Sequence, residues 1–505
     1  MSKNIVIFSD GTGQAGGLKP DQAMSNVYKL FRAARSGPDN SVDPAAQVAF
    51  YDAGLGTEND EGSIPIRPVK LYRKTLSGAT GTGISRNIAD CYEAILKHYE
   101  PGDRIYLFGF SRGAYTARCV GGVLSYCGVP SHGADGGPLP RFGSALRRIA
   151  DEAVKNVYEH GSGKSEEKYT HEREEQARRF REKYGSDLDG KSNAVPYFIG
   201  VFDTVAALGS AGLFRWVIIT ALLLLLMGLA AIAAFVLSRI PGIGFWWAAA
   251  GLLVLGMVWI SVTFFRENLK TIRNFPKQGA CSRHFVYSRL NFYNTFLNKR
   301  VMYARHALAI DEDRENFPRV PWTVDGDLVR RPAGQPEWLK QIWFAGNHSD
   351  IGGSYPEDES RLSDTALLWM VEEARGVPNG LLVDQSKLHL YPAASGAQHC
   401  EISSMRDRYW SWIPDAWRRV WPKKQRLVSA EAKLHPSVLE RFSLQGIYRY
   451  GVKQCYRPSN LKDHIDVQPF YSMHGPVDGS TVSAAAISPF PVTIQPFPTA
   501  VVAGN

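Results

Sequence analysis

Hydrophobic positions fall into three patterns along the chain. In the N-terminal half, short apolar runs alternate with amphipathic stretches. Ile5-Val-Ile-Phe8 reads as a buried strand that ends in Ser9-Asp10-Gly11-Thr12-Gly13. Further strands are expected at Ala46-Gln-Val-Ala-Phe-Tyr51, Asp103-Arg-Ile-Tyr-Leu-Phe108, Val195-Pro-Tyr-Phe-Ile-Gly-Val-Phe202 and Gln341-Ile-Trp-Phe-Ala345. Helical spacing predicts helices over Asn26–Arg35, Ser85–Tyr99, Ala114–Tyr126 and Asp364–Arg375. Strands alternating with helices predict an α/β fold, a mostly parallel sheet with helices on both faces.

The second pattern interrupts the first. No charged residue occurs between Arg215 and Arg239, or between Arg239 and Arg266. Each run is close to the roughly 20 apolar residues that cross a bilayer core. Trp216, Trp246 and Trp247 stand near the ends, where amphipathic rings favour the interface. The link Ser238-Arg-Ile-Pro-Gly-Ile-Gly244 is too short for anything but an antiparallel return. Two membrane-spanning helices are therefore expected, over about 216–238 and 244–265. Arg266, Lys270, Arg273, Lys277, Arg283 and Arg289 follow the second run, whereas the link carries only Arg239. By the positive-inside tendency the bulk of the chain then faces the cytoplasm, as a two-span membrane protein.

The third pattern is weaker. Residues 129–192 hold a Gly/Pro-rich stretch and a mixed-sign charge run from Lys164 to Lys183, which reads as a solvated helix rather than an anion site. Beyond Gly380 periodicity thins, and the tail from Gly475 is Pro-rich and expected to be extended. The expected organisation is a first core segment over 1–214, the helical hairpin over 215–266, a second core segment over 267–380 and a less regular C-terminal extension over 381–505.

Composition changes this picture little. Of 505 residues, 44% are hydrophobic and 21% charged, as in ordinary globular proteins. The 58 Lys and Arg exceed the 49 Asp and Glu by nine, and part of that excess lies after Phe265. It is not a nucleic-acid footprint. Six scattered cysteines show neither zinc spacing nor a pairing rhythm, which suits a reducing compartment and gives no expectation of a metal. The N-terminal apolar run is too short for a signal peptide.

The chemistry concentrates at Gly109-Phe-Ser-Arg-Gly113, a GxSxG motif set between a strand and a helix. That is the setting of a nucleophile elbow, in which a sharp turn lifts the Ser111 hydroxyl clear of the sheet edge. A serine needs a base to take its proton, and the base needs a carboxylate to orient it. Asp203 and His348 each follow an apolar strand, and the order 111, 203, 348 suits a hydrolase sheet. Asp350 is a rival acid, and His435 reads as structural. An oxyanion needs two donors. The backbone N–H of Arg112 would supply one, and the Gly11-Thr12 turn the other, with Asp10 holding that turn. Gly78–Gly83 lacks the Lys-Ser/Thr of a P-loop and reads as a turn before a helix.

At these residues the sequence resembles the α/β-hydrolase family of bacterial and fungal proteins that includes type VI secretion phospholipase effectors. The matching pieces are Phe8-Ser-Asp-Gly-Thr12, Tyr51-Asp-Ala-Gly-Leu-Gly56, Gly109–Arg118, Gly200-Val-Phe-Asp-Thr-Val205, Arg305-His-Ala-Leu-Ala309 and Trp343–Gly353, in the family's order. The resemblance implies a Ser–Asp–His esterase acting on glycerophospholipids, with Ser111, Asp203 and His348 on the family's positions. The first turn departs from the family, reading Asp-Gly-Thr-Gly rather than Asp-Gly-Thr-Trp, and no secretion adaptor is visible. The expected function is a membrane-anchored serine hydrolase of acyl esters, needing no cofactor, with membrane lipid as anchor and substrate and no nucleic-acid partner. Protein partners are not legible. The alternative is a non-catalytic membrane scaffold or lipid-binding protein on a degenerate hydrolase fold.

Overall fold

The first strand, β1 (Asn4–Ser9), is buried along its whole length, with Ile5 and Ile7 in one core layer and Val6 and Phe8 in the other. A strand buried on both faces has no solvated side to encode, so it appears in sequence as a continuous apolar run. In the computed structural model, which describes residues 2–14, 16, 23–54, 82–161, 166–205, 213–242, 244–286, 295–315, 317–323, 328–402 and 422–472, five more strands join it. These are β2 (Gln47–Asp52), β3 (Arg104–Phe110), β4 (Phe198–Phe202), β5 (Tyr303–Ala309) and β6 (Leu339–Phe344). All pairings are parallel, in the order β2-β1-β3-β4-β5-β6. The fold is thus the expected α/β-hydrolase-like parallel sheet.

Helices cover both faces. On one side lie α1 (Asn26–Ala34) and the late helix Arg361–Arg375, whose Val27, Leu30, Leu367 and Met370 pack with Phe8 and Phe108. On the other lie α2 (Thr82–His98), α3 (Arg112–Cys127), α4 (Gly143–Asp151) and α5 (Thr170–Tyr184), packed on Ile5, Ile7 and Leu107. Fully burying each such side chain contributes about 1.5–3 kcal/mol. The charge run is a helix as expected, but it is not solvated all round. Arg173, Ala177, Phe180, Arg181 and Tyr184 are buried against the core.

The β4-to-β5 crossover carries two consecutive helices, α6 (Leu213–Leu237) and α7 (Phe245–Asn268), which pack on each other. Among the described residues, Phe245–Arg266 is long and apolar enough to cross a membrane, and Met227–Leu237 forms a shorter apolar stretch. Among their described side chains most of the large apolar ones are exposed, Trp246 and Trp247 at 80% and 83%. The basic flank is not uniformly free, however. Lys270 is buried and donates to the Lys155 carbonyl, on the hairpin Leu269–Arg273/Cys281–Phe285 that follows α7. Beyond the late helix, residues 422–472 close a third core, in which Val438, Phe442, Tyr456 and Leu461 pack on Leu308 and Trp343 of β5 and β6. The Pro-rich tail and most of the Gly78–Gly83 stretch lie outside the described residues.

Candidate active site

The strand order reverses between β1 and β3, and in open parallel sheets ligand sites form beyond the carboxyl ends of the strands at such a point. Asp10 and Ser111 follow β1 and β3 there, and Asp203 follows the adjacent β4. Ser111 sits at φ 56°, ψ −119°, at the start of α3, and its side chain makes no capping bond. Holding a serine there costs of order 1–3 kcal/mol. The turn is fixed by Ser111 N–H donating to the Phe202 carbonyl at 3.1 Å. Its glycines are a matter of space. A Cβ on Gly113 would fall within contact distance of the Ser9 carbonyl, and one on Gly109 would strike the backbone of Gly113.

Asp203 is fully buried and also has positive φ, 39°. Its Oδ2 lies 2.6 Å from His348 Nδ1. Oδ1 accepts from the Ala309 N–H at 3.0 Å. Arg426 adds two bonds, to Oδ1 at 2.5 Å and Oδ2 at 2.9 Å. Burial alone would raise the carboxyl's pKa, but the Arg426 guanidinium and His348 outweigh it and hold it well below the usual carboxylate range. The following Thr204 N–H donates to His306 Nε2 at 3.3 Å, and burial pushes His306 down to about 3, so it stays neutral and accepts.

His348 begins the helical turn His348–Gly352, capped by Asn347. Its ring packs 4.7 Å from Phe110, the residue before Ser111, and 5.5 Å from Phe317. With Nδ1 on Asp203, the other nitrogen, Nε2, is buried without a hydrogen-bond partner. The structure therefore brings Asp203 and His348 into contact, and seats Ser111 on the backbone next to Asp203 and on the residue against which His348 packs.

The rival acid is engaged elsewhere. Asp350 Oδ2 accepts from Asn347 N–H at 3.0 Å and Oδ1 pairs with His399 Nδ1 at 2.7 Å. His435 caps the helix Pro436–Ser443 and stacks on Phe344, with burial lowering its pKa to about 4, a structural place as expected. Asp10 does hold the first turn. It accepts from Ser25 Oγ at 2.5 Å, Tyr51 OH at 2.7 Å and Gly11 N–H at 2.7 Å, and burial raises it to about 6. The Gly11 N–H is thus committed inside its own turn, which leaves Thr12 as the donor to test on that side. Arg112 opens α3, where the first backbone N–H groups have no intrahelical partner.

Arg426 and Glu312 escape any reading of the sequence. Glu312 accepts the His348 N–H at 3.2 Å and is braced by Arg314 at 2.7 Å. Arg426 comes from the Lys-Lys-Gln-Arg run of the C-terminal extension, where nothing local distinguishes it from a solvated surface charge.

The sequence matches the family described as T6SS, phospholipase effector Tle1-like, catalytic domain, over residues 3–226 and 256–373. The unmatched interval, 227–255, is the distal part of the α6–α7 pair. An uncharacterized protein of Saccharomyces cerevisiae, YEL023C, is 28% identical over 210 residues, covering 41% of this chain and 27% of the relative. The chain thus spans about a quarter of that relative's length. An uncharacterized protein from Pseudomonas aeruginosa of known structure is 17% identical, at a TM-score of 0.32, over 77% of this chain and 48% of the other. The Tle1 effector, solved bound to the VgrG spike of the type 6 secretion system, is 16% identical at a TM-score of 0.24, over 72% and 53%.

Proposed function

The chain belongs to the family of Tle1-like phospholipase effector catalytic domains, and on that premise we propose that it is a membrane-anchored serine hydrolase of phospholipid acyl esters. The observation that carries the reading is the 2.6 Å contact between Asp203 Oδ2 and His348 Nδ1, which leaves a buried, unpaired Nε2 on the far side of the ring. A carboxylate held ionised by Arg426 fixes the imidazole so that Nδ1 carries the proton and Nε2 the lone pair. Nε2 takes the Ser111 hydroxyl proton as Oγ adds to the ester carbonyl. The resulting imidazolium sits against a full negative charge on Asp203. The oxyanion is met by backbone N–H groups of Arg112 and Thr12. The tetrahedral adduct collapses, breaking the acyl C–O bond, and Nε2–H protonates the departing alkoxide. Water, deprotonated by the same nitrogen, then clears the acyl-enzyme and frees Ser111. The α6–α7 pair, with its outward apolar faces, serves as the anchor, crossing the bilayer twice with the sheet on the cytoplasmic side.

The test is direct. Wild type and Ser111→Ala, purified in detergent, are incubated with a mixed phospholipid extract, and products are identified by mass spectrometry. Free fatty acid with matching lysophospholipid from wild type alone is expected. Equal product from both proteins would end the proposal.

A further inference from the structure

Outside these residues, three separate segments converge on a second cluster. His160 lies in the short turn Tyr158–Gly161, Glu172 in the first turn of α5, and His284 on the second strand of the hairpin that follows α7. One ligand atom from each lies within 4.8 Å of the other two. Glu172 Oε2 is 2.8 Å from His160 Nε2 and 3.8 Å from His284 Nδ1.

The tautomer of His284 follows from its neighbour. Its Nε2 lies 2.6 Å from the His160 carbonyl oxygen. A carbonyl can only accept, so Nε2 carries the proton and Nδ1 the lone pair. That lone pair is buried and has no hydrogen-bond partner, on a side chain only 7% exposed. A buried polar atom left unpaired is a standing penalty, which an occupant that accepts the lone pair would remove. The ring is also held in place, with Tyr169 stacked on it at 3.9 Å. Glu172 is oriented too, its Oε1 accepting from Ser282 Oγ at 2.9 Å.

Donors arranged this way suit one class of ligand. In a tetrahedral site with metal–ligand bonds of about 2.0–2.1 Å, neighbouring donor atoms stand about 3.4 Å apart. The separations of 2.8 and 3.8 Å lie on either side of that value. Two imidazoles and one carboxylate select a borderline transition ion over calcium or magnesium, which take oxygen donors. We propose that His160 Nε2, Glu172 Oε2 and His284 Nδ1 bind one divalent cation of the zinc class, with water in the fourth position. The His160 carbonyl and Ser282 are its outer partners, fixing the tautomer of His284 and the rotamer of Glu172. The proton between His160 Nε2 and Glu172 must vacate that nitrogen for the ion to bind there. The ion ties the hairpin after α7 to α5 and to the turn at His160. Its role is to fasten the base of the helix pair to the sheet domain, independently of whether Ser111 is a nucleophile.

Full-length protein without an affinity tag is stripped with chelator in detergent and titrated with Zn²⁺ alone, with metal content and thermal unfolding as readouts. One ion per chain and a higher unfolding temperature are expected. Glu172→Gln and His284→Gln should each weaken binding roughly tenfold or more. Should His284→Gln fail to fold, the near-isosteric Glu172→Gln decides. Wild type that holds no stoichiometric zinc, or variants that bind it as tightly as wild type, would overturn the assignment.

Discussion

Replacing Arg426 with methionine removes one side chain and leaves a buried carboxylate behind. Arg426 gives Asp203 two hydrogen bonds, at 2.5 and 2.9 Å, and also reaches the carbonyls of Ala309 and Phe317 at 3.2 Å each. Deleting one partner of a buried pair costs about 3–5 kcal/mol, because the surviving charge is uncompensated. The pH dependence changes sign as well. In an unfolded chain Asp titrates near ~3.9. In the native protein Asp203 sits below that, so its contribution is complete above about pH 4 and is lost only as pH falls toward the folded value. In Arg426→Met burial dominates and the folded pKa rises above the unfolded one. The variant then loses stability as pH climbs from about 4 through the new value. Urea unfolding in detergent across this range measures both effects. Adding Asp203→Asn removes the stranded charge and should recover more than about 1.5 kcal/mol of the loss at neutral pH. Additivity of the two substitutions within about 0.5 kcal/mol would refute the reasoning, because Arg426 would then act through the carbonyls alone.

Four further outcomes follow. Gly113→Ala drives a Cβ into the Ser9 carbonyl and should lower stability by about 2 kcal/mol or more, read as a fall in unfolding temperature. Asp203→Asn should lower kcat roughly 10²–10⁴-fold. Asp350→Asn, which loosens a bond to His399 rather than to His348, should cost stability and leave most of the rate, whereas equal rate losses would reinstate Asp350 as the acid. Leu255→Arg places a charge on the outward face of α7, 67% exposed, at an insertion cost of about 2.5–3.5 kcal/mol. Retention in the membrane pellet after carbonate washing should drop, and unchanged retention would count against a span.

The central strands β1, β3 and β4 are legible in the sequence because they are buried on both faces and so run apolar. β5, buried as fully, is less so. Arg305 and His306 interrupt the run, yet both are fully buried, one paired with Glu373 at 2.5 Å and the other accepting from Thr204. A polar residue satisfied by a distant partner looks like a surface residue in a one-dimensional pattern. The elbow is legible for the opposite reason, since its glycines are dictated by local backbone crowding around Ser111. Asp203 and His348 are legible as strand-end residues in the right order, but their contact is not. Arg426 lies 223 positions from Asp203 and reaches it only because residues 422–472 fold back over β5 and β6. The His160, Glu172 and His284 cluster is hidden in the same way, by separation along the chain rather than by residue type. Cysteine spacing is the usual signal of zinc, and these three residues carry none.

The central claim is that Ser111 is a nucleophile activated by His348. The most direct test is covalent labelling of the full-length protein with a fluorophosphonate, with the modified residue located by peptide mass spectrometry. A single adduct on Ser111 is predicted, slowed strongly in His348→Gln at unchanged fold. An unlabelled Ser111 in folded wild type, or labelling that proceeds equally without His348, would contradict the account.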